Sequence, residues 1–457
     1  MRRLIARQIR IFPALRLAVA LTGAGAGVLP VSAGDVRIKT APASNDLSIG
    51  TNWIGSNAPL SGDRAVFDGP LTTTEFVLDN DASWQGIQLL SPGAALTLDA
   101  GNLLTLGSSG IDMSAATQSL ILNAGVALAC DASFNVATTL TLGGTMSLGT
   151  HTLTIAGSGV TFITGTPGPL LNGTLAADPL GRLVKSGAGT LTLNADTSLQ
   201  AITLQAGRLN FVGKNLSQGV ITLSGGILDY STALNFPEAI NVAGTATLMH
   251  TGQSIISETG NWTGAGAITW LTTLQENEAG QFSSFTGSLL FGASSGSLRL
   301  TGSTDHDLSN VNVDLGTATF TWLTNNGGNQ SIGALSGGAG TVLRGASTSG
   351  TGAYIIGAMN ISTTFAGAIL NGTGTNATLG LTKVGTGTLT LTSTASAYSG
   401  ALAIAAGVLA TNQTASLGAA SSAITLGNNA AGTAGTFRWI GGTLTTSRLL
   451  AIETTGT

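Results

Sequence analysis

The chain of 457 residues contains 66 Gly, while only 8% of its residues are charged and 5% are aromatic. A hydrophobic content of 43% with a formal net charge of −4 excludes a disordered chain. Gly without a three-residue repeat excludes collagen, and the acidic balance lacks the dense basic surface that nucleic-acid binding requires. Because Gly, Ser and Thr are poor helix formers, the composition predicts an all-β protein.

The N-terminal segment, 1–33, has the pattern of a secretory signal peptide. Five arginines precede the first acidic residue, Asp35, and are followed by the apolar segment Leu17–Leu21 and a small-residue site that ends at Ala33. This order predicts export and cleavage after Ala33. The apolar segment is shorter than the roughly 18 residues of a membrane-spanning helix. Cleavage removes the five arginines and leaves 12 basic residues against 21 acidic ones, a formal charge of −9.

The remaining chain is predicted to form an N-terminal cap or small β segment over residues 34–84 and β-solenoid repeats over residues 85–457. From residue 85 onward, Leu and Ile alternate with Thr in short segments such as Thr139–Leu142 and Thr152–Ile155. This period of two places aliphatic side chains on one face of a strand and hydroxyls on the other. Strand and turn recur about every 10–12 residues, which predicts many short strands.

One segment of the chain is repeated. Residues 183–193 match residues 381–391 at eight of eleven positions, and an Ala-Gly-x-Leu turn follows each copy, at Ala206–Leu209 and Ala406–Leu409. Lys185 and Lys383 occupy the same repeat position, which favours a structural role over catalysis. A strand–turn unit of this length buries its apolar face only against neighbouring units, so the repeat predicts a solenoid.

These repeats resemble those of the autotransporter-associated β-strand repeat proteins, whose signature continues through a Tyr-x-Gly segment. The copy at 381–409 has that segment at Tyr398–Gly400, whereas the copy at 183–209 is two residues shorter and has Ser198–Gln200 instead. The resemblance implies a right-handed parallel β-helix, a single elongated repeat domain of an exported bacterial protein that is secreted or held at the outer-membrane surface. At about 20 residues per coil and 4.8 Å per strand, the rod length is on the order of 100 Å.

The sequence offers few candidates for a metal site. The three histidines, His151, His250 and His306, are far apart and lack the short spacing of zinc ligands. Two acidic pairs remain open as cation sites, Asp79 with Asp81 and Asp305 with Asp307, although such pairs usually form solvated turns. We therefore predict no metal, no cofactor and no catalytic residue.

Parallel β-helices include polysaccharide lyases and glycoside hydrolases, and such an enzyme is the alternative function. Glycoside hydrolysis needs two carboxylates placed across the bond. The richest acidic groups, Glu276 with Glu278 and Asp305 with Asp307, lie beside no basic cluster in the sequence. We predict a protein that is not an enzyme.

Tryptophan and cysteine give no stronger functional signal. We expect Trp262, Trp270, Trp322 and Trp439 to pack in the core or in turns rather than to form a sugar-binding ladder. Cys130 is the only cysteine, so it has no partner within the chain, and we expect a small buried hydrophobic residue.

The function predicted from the sequence is an adhesin-like or autotransporter-passenger-like stalk that contacts other cells, matrix or polysaccharide. The protein is predicted to bind no nucleic acid and to have no membrane-spanning segment within these 457 residues. The sequence stops at Ala451–Thr457 within a strand-like segment that has no polar cap. Because a solenoid needs a terminal cap, we predict a truncated chain that continues into a C-terminal anchor or translocator.

Overall fold

A computed structural model describes most of residues 34–453. The gaps in the described part are residues 165–169, 172–180, 195–198, 213–218, 231–234, 237, 252–255, 272–274, 293–295, 302–304, 320, 325–327 and 347–348. The predicted signal peptide and its cleavage site after Ala33 lie outside the described residues.

The structure is built from short β-strands and two single-turn 3₁₀ helices, Gly50–Asn52 and Ala415–Leu417. The strands of the N-terminal part are β1 (Asp35–Arg37), β2 (Arg64–Phe67), β3 (Glu75–Phe76), β4 (Ala82–Leu89), β5 (Leu96–Leu98), β6 (Leu104–Met113), β7 (Leu120–Leu122), β8 (Val126–Leu128), β9 (Ala132–Val136), β10 (Thr139–Leu142), β11 (Met146–Ser147), β12 (Thr152–Ala156), β13 (Val160–Ile163) and β14 (Leu170–Leu171).

The strands of the middle part are β15 (Arg182–Lys185), β16 (Thr190–Leu193), β17 (Ala201–Leu204), β18 (Arg208–Phe211), β19 (Val220–Leu223), β20 (Ile227–Tyr230), β21 (Asn235–Phe236), β22 (Ala239–Val242), β23 (Thr245–His250), β24 (Ile256–Glu258), β25 (Trp262–Gly264), β26 (Ala267–Leu271), β27 (Gln275–Glu278), β28 (Ser284–Phe285), β29 (Ser288–Phe291) and β30 (Ser297–Leu300).

The strands of the C-terminal part are β31 (Leu308–Asp314), β32 (Thr321–Thr324), β33 (Gln330–Ser336), β34 (Val342–Ala346), β35 (Ser349–Ile356), β36 (Thr363–Phe365), β37 (Ala368–Leu370), β38 (Thr375–Lys383), β39 (Thr388–Leu391), β40 (Leu402–Ile404), β41 (Gly407–Thr411), β42 (Ile424–Leu426), β43 (Gly435–Trp439) and β44 (Leu450–Ile452).

The strands stack into a parallel β-solenoid of about 15 turns, which confirms the predicted all-β fold. Sheet 1 runs from β1 to β28, with β8, β11 and β14 attached to it, and sheet 2 runs from β3 to β44. Sheet 3 runs from β21 to β37, and sheet 4 from β36 to β43. A strand in one sheet pairs with the equivalent strand of the next turn, so that equivalent residues stack directly above one another, as Leu120 does on Leu140.

The alternating sequence explains why these segments form strands around one core. In β10, Leu140 and Leu142 are buried, while Thr139 and Thr141 are partly exposed. The next strand of the same sheet, β13, has the same burial pattern, with Ile163 stacked on Leu142 and a buried hydroxyl, that of Thr161, at the position of Leu140. The inward residues form one hydrophobic core along the chain. Burial of apolar area is the main stabilising contribution in such a stack.

The rod is shorter than the length expected from the sequence. About 15 turns spaced 4.8 Å apart give a stack of about 70 Å, whereas coils of about 20 residues gave a length on the order of 100 Å. The difference arises because several turns contain more residues than that expectation assumed. Ile155 stacks on Lys185, and Tyr354 stacks on Leu381, so each of these two turns is a long one.

Residues near the N-terminus join the same stack of strands. Strand β1 pairs with β2, and β2 pairs with β4, all in parallel register within sheet 1. Residue 84, the predicted boundary between an N-terminal segment and the solenoid, lies inside β4. Trp53, Phe67 and Trp84 are buried together there, with ring centroids 5.7 Å apart between Trp53 and Phe67 and 6.0 Å apart between Trp53 and Trp84.

Candidate functional site

The repeated lysines lie inside the solenoid at the turn that follows their strand. Lys383 is buried, and its Nζ donates to the carbonyl oxygens of Val384, Gly385 (2.9 Å) and Ala406 (3.4 Å). Lys185 is also buried, and its Nζ donates to the carbonyl oxygens of Gly187 and Ala206 (3.5 Å) in the first copy. Each lysine therefore supplies hydrogen bonds to turn carbonyls that lack a strand partner.

Burial changes the acidity of both lysines. It lowers the pKa of Lys185 and of Lys383 to about 8, because a buried ammonium loses its hydration. The equivalent geometry in the two copies agrees with the structural role predicted from their repeat position, and neither amine lies at the surface.

The two aspartate pairs proposed as cation sites are held in turns. Asp305 accepts hydrogen bonds from the backbone amide of Asp307 (2.9 Å) and from the hydroxyl of Ser331 (2.6 Å). Asp81 accepts from the amide of Leu103 (2.9 Å). Within the described residues, no group of three or more His, Cys, Asp and Glu side chains is placed to hold a metal ion.

A cluster of ionisable side chains lies in the core of the middle turns. Its carboxyl groups belong to Glu238, Glu258, Glu276 and Glu278, and each of these residues is at most 4% exposed. Glu258 and Glu278 stack in register between β24 and β27. Along this column the neighbour before Glu258 is Phe236, and the neighbour after Glu278 is Leu300. We call these four glutamates the acid cluster.

Two tryptophans of sheets 1 and 2 donate hydrogen bonds into the acid cluster. The indole Nε1 of Trp262 donates to Oε2 of Glu278 at 3.2 Å, and that of Trp270 donates to Oε2 of Glu276. The two indole rings stack with centroids 5.5 Å apart. Their burial confirms core packing for Trp262 and Trp270. These two donors orient two of the four carboxyl groups.

The base that lies nearest the acid cluster is His250, on β23. It is 5% exposed, and its Nδ1 is 3.8 Å from Oε1 of Glu276, which is too long for a hydrogen bond. Burial lowers the pKa of His250, although the charge of Asp229 opposes this effect. A neutral imidazole supplies no positive charge to the carboxyl groups at neutral pH.

The carboxyl groups are correspondingly weak acids. Burial raises the pKa of Glu238 and of Glu278 to about 7. Burial, the charge of Glu278 and a hydrogen bond to Glu278 raise the pKa of Glu258 well above its usual value. Burial also raises the pKa of Tyr230, and the charges of all four glutamates add to this effect, which places its hydroxyl beside the whole cluster. Since two stacked carboxylates repel each other, a negative charge on one of Glu258 and Glu278 favours the protonated form of the other.

This arrangement can bind protons, but it presents no surface to a polymer. A glycan needs carboxyl groups that line an open cleft, whereas Glu276 and Glu278 are 2% and 0% exposed. The sequence groups Glu276 with Glu278, but it does not show that both face the core or that Glu238 and Glu258 lie near them. A signal was present, since Glu238, Glu258 and Glu278 are evenly spaced along the sequence and Glu276 alternates with Glu278.

Two expectations for single side chains have different outcomes. Trp322 is fully buried, as expected. Cys130 is a free, partly exposed cysteine, so the expected buried position is wrong. It follows Leu128 at the end of β8, where the chain turns toward the exposed Asp131 and the inward alternation of the strand stops.

Comparison with known families identifies the repeated segments. The model of the passenger-associated-transport-repeat matches residues 183–229 and 381–410, which contain both buried lysines. The match confirms the resemblance to autotransporter-associated repeat proteins. Comparisons with curated proteins and with solved structures give no match. No helix in the described part of the chain has the length and apolar character needed to cross a membrane.

Proposed function

We propose that the chain is an exported, non-enzymatic stalk of the passenger type, adhesin-like in its contacts with cells, matrix or polysaccharide. The observation that carries this proposal is that each matched repeat segment forms successive turns of one parallel solenoid, with β15 paired to β17 in the first segment and β38 paired to β40 in the second. A rigid stack of turns holds its outward side chains at fixed spacing, which suits repeated contacts along an extended surface.

The outer face of sheet 2 is a candidate contact surface. Thr97, Ile121, Thr141 and Phe162 stack in register on successive turns, and all four are partly exposed. Hydroxyl, aliphatic and aromatic groups on one ladder can both donate hydrogen bonds and pack against the face of a sugar ring or a protein side chain. No charged residue interrupts these four positions.

The alternative, a polysaccharide-cleaving enzyme, receives less support. The carboxyl groups of Glu276 and Glu278 face the core, and those of Asp305 and Asp307 accept hydrogen bonds within turns. Cleavage by these residues would require a large rearrangement of the turns.

Localisation and attachment are part of the proposal. We propose that residues 1–33 direct export, that residues 34–84 form the N-terminal end of the stalk, and that the mature chain is secreted or held at the outer surface by a C-terminal anchor or translocator. The passenger repeats support this arrangement, because they are the features that the chain shares with transported proteins.

The test is a binding experiment with the mature chain, residues 34–457, coupled to fluorescent beads. We expect the beads to bind cells or an immobilised polysaccharide without releasing reducing sugar. The variant Thr141→Lys, on the candidate ladder, should reduce binding, whereas Ser133→Lys, at an exposed position of sheet 1, should not. Polysaccharide cleavage that Glu276→Gln abolishes would overturn the non-enzymatic proposal, and no binding to any surface would overturn the adhesin-like role.

A further inference from the structure

The acid cluster has a property that a stalk does not require. An ordinary solenoid column contains stacked aliphatic or aromatic residues, such as Leu120 on Leu140. The column in sheet 3 instead places Glu258 on Glu278, between turns that supply Phe236 and Leu300. Two stacked carboxyl groups in a dry core are compatible only if at least one of them carries a proton.

We propose that the acid cluster is a proton-dependent latch, which keeps the turns from β20 to β27 closed while its carboxyl groups are protonated and opens them locally when the protons are lost. The ligand of this site is the proton. The opening is limited toward the C-terminal side, because the next turn places Leu298 and Leu300 on Glu276 and Glu278.

The described residues around the acid cluster include hydrogen-bond donors and apolar side chains. Strand β20 contributes Tyr230, β23 contributes His250, and β25 and β26 contribute the indole donors of Trp262 and Trp270. Strand β30 contributes Leu298 and Leu300, which stack on Glu276 and Glu278. His250 is a base beside these carboxyl groups, and a second buried imidazole, that of His306, lies one turn further on, where its Nδ1 is 2.7 Å from the carbonyl oxygen of Gly280. The backbone amide of Gly280 donates to Oε1 of Glu278.

Other charged side chains near these turns already have partners. Asp229 is buried, and it accepts hydrogen bonds from the guanidinium of Arg208 and from the hydroxyl of Thr251 (3.0 Å). Arg299 lies on β30, where its guanidinium donates to Oε1 of Gln275 at 2.9 Å. These two arginines are engaged with groups outside the acid cluster, so they do not neutralise its carboxylates.

The sign of the pH dependence follows from the direction of the pKa shifts. Burial raises the pKa of Glu238, Glu258 and Glu278, so the closed turns bind protons that the opened turns release above a pH of about 4.5. Closure therefore weakens as the pH rises from about 4.5 through 7. The lowered pKa of His250 acts in the opposite direction, but only below its usual value of 6.5. At pH 6.5–7.5 the carboxyl groups dominate.

The experiment is hydrogen exchange with mass-spectrometric readout on the mature chain at pH 5.5–8.0, expressed as protection factors so that the intrinsic pH dependence of exchange is removed. Peptides from β20 to β27 should lose protection by up to tenfold per pH unit for each proton released. Peptides from β5 to β10, which have no buried carboxyl in their columns, should keep constant protection. Equal protection of the middle turns across this pH range would overturn the proposal.

Variants test whether the pH dependence of protection arises from the carboxyl groups of the acid cluster or from a general change in stability. Glu258→Gln keeps a hydrogen-bond donor toward Glu278 at every pH, so it should reduce the pH slope of protection in β20–β27 by about one proton. Glu238→Gln should reduce the slope independently. Asp131→Asn, at a side chain that is 74% exposed, is the matched control and should leave the slope unchanged. A slope unaffected by both glutamine substitutions would also overturn the proposal, whereas the stalk function would still be decided by the bead assay.

Discussion

The substitution Lys383→Met removes the buried ammonium from the turn of the second repeat and retains most of its aliphatic stem. The lost contacts are the hydrogen bonds from Nζ to the carbonyl oxygens of Val384, Gly385 and Ala406. A hydrogen bond that involves a charged group contributes about 1.5–3 kcal/mol, and an unpaired buried carbonyl costs about 1–3 kcal/mol. The ammonium itself is costly to bury, which offsets part of this loss. We expect the free energy of unfolding to fall by about 2–3 kcal/mol.

Chemical denaturation at pH 7 measures this loss, with Thr382→Met as the control on the partly exposed face of the same strand. The control should change the free energy of unfolding by less than about 0.5 kcal/mol. The pH dependence provides a second readout. Because burial lowers the pKa of Lys383 to about 8, the unfolded chain binds a proton that the folded chain does not hold between pH 8 and about 10.5. Stability therefore rises with pH in this window, and Lys383→Met should remove part of the rise. Equal stability of Lys383→Met and the parent protein at pH 7 would refute the proposal that the hydrogen bonds from Nζ to the turn carbonyls stabilise the repeat.

Three further outcomes test other parts of the account. Gly189→Ala should destabilise the first repeat by about 2–4 kcal/mol in denaturant unfolding, because the new Cβ would clash with the carbonyl oxygen of Gly159 on the preceding turn. Gly442→Ala, where no atom lies within 4 Å of the new Cβ, is the matched control, and equal effects of the two changes would contradict the close stacking of turns. The exported protein should begin at Gly34 by intact mass spectrometry, and an exported chain that retains Met1 would contradict signal cleavage. Lys185→Met should lower the free energy of unfolding by an amount similar to that of Lys383→Met, measured by chemical denaturation. A loss of stability in only one of the two variants would contradict the equivalence of the two lysines.

Much of the fold follows from the pattern of the sequence. Leu and Thr alternate in Thr139–Leu142 because one face of that strand meets the core, and the same pattern recurs at Thr190–Leu193 and Thr388–Leu391. The equivalent positions of Lys185 and Lys383 predicted a shared structural role before their carbonyl partners were known. Local alternation and repeat spacing are encoded in short segments, so the sequence alone suffices to predict them.

The acid cluster could not be predicted by the same reasoning. All four residues of Gln275–Glu278 are polar, so the sequence has no hydrophobic alternation there to reveal which face meets the core. That choice depends on the register with Ile256 and Glu258 in the preceding turn, which only the stacked structure provides. The length of the rod was overestimated for a related reason, because the number of residues per turn varies along the chain.

Disulfide trapping tests the parallel, in-register solenoid most directly. Ile121 and Thr141 are outward-facing neighbours on adjacent turns, and their strand spacing of about 4.8 Å suits the Cα separation of a disulfide. In a chain with Cys130→Ser, the pair Ile121→Cys and Thr141→Cys should oxidise to an intramolecular disulfide. The control pair, Thr97→Cys and Thr141→Cys, lies two turns apart and should stay reduced. Rapid cross-linking of the first pair alone is the predicted result, and failure of that pair to cross-link in the folded protein would contradict the solenoid register.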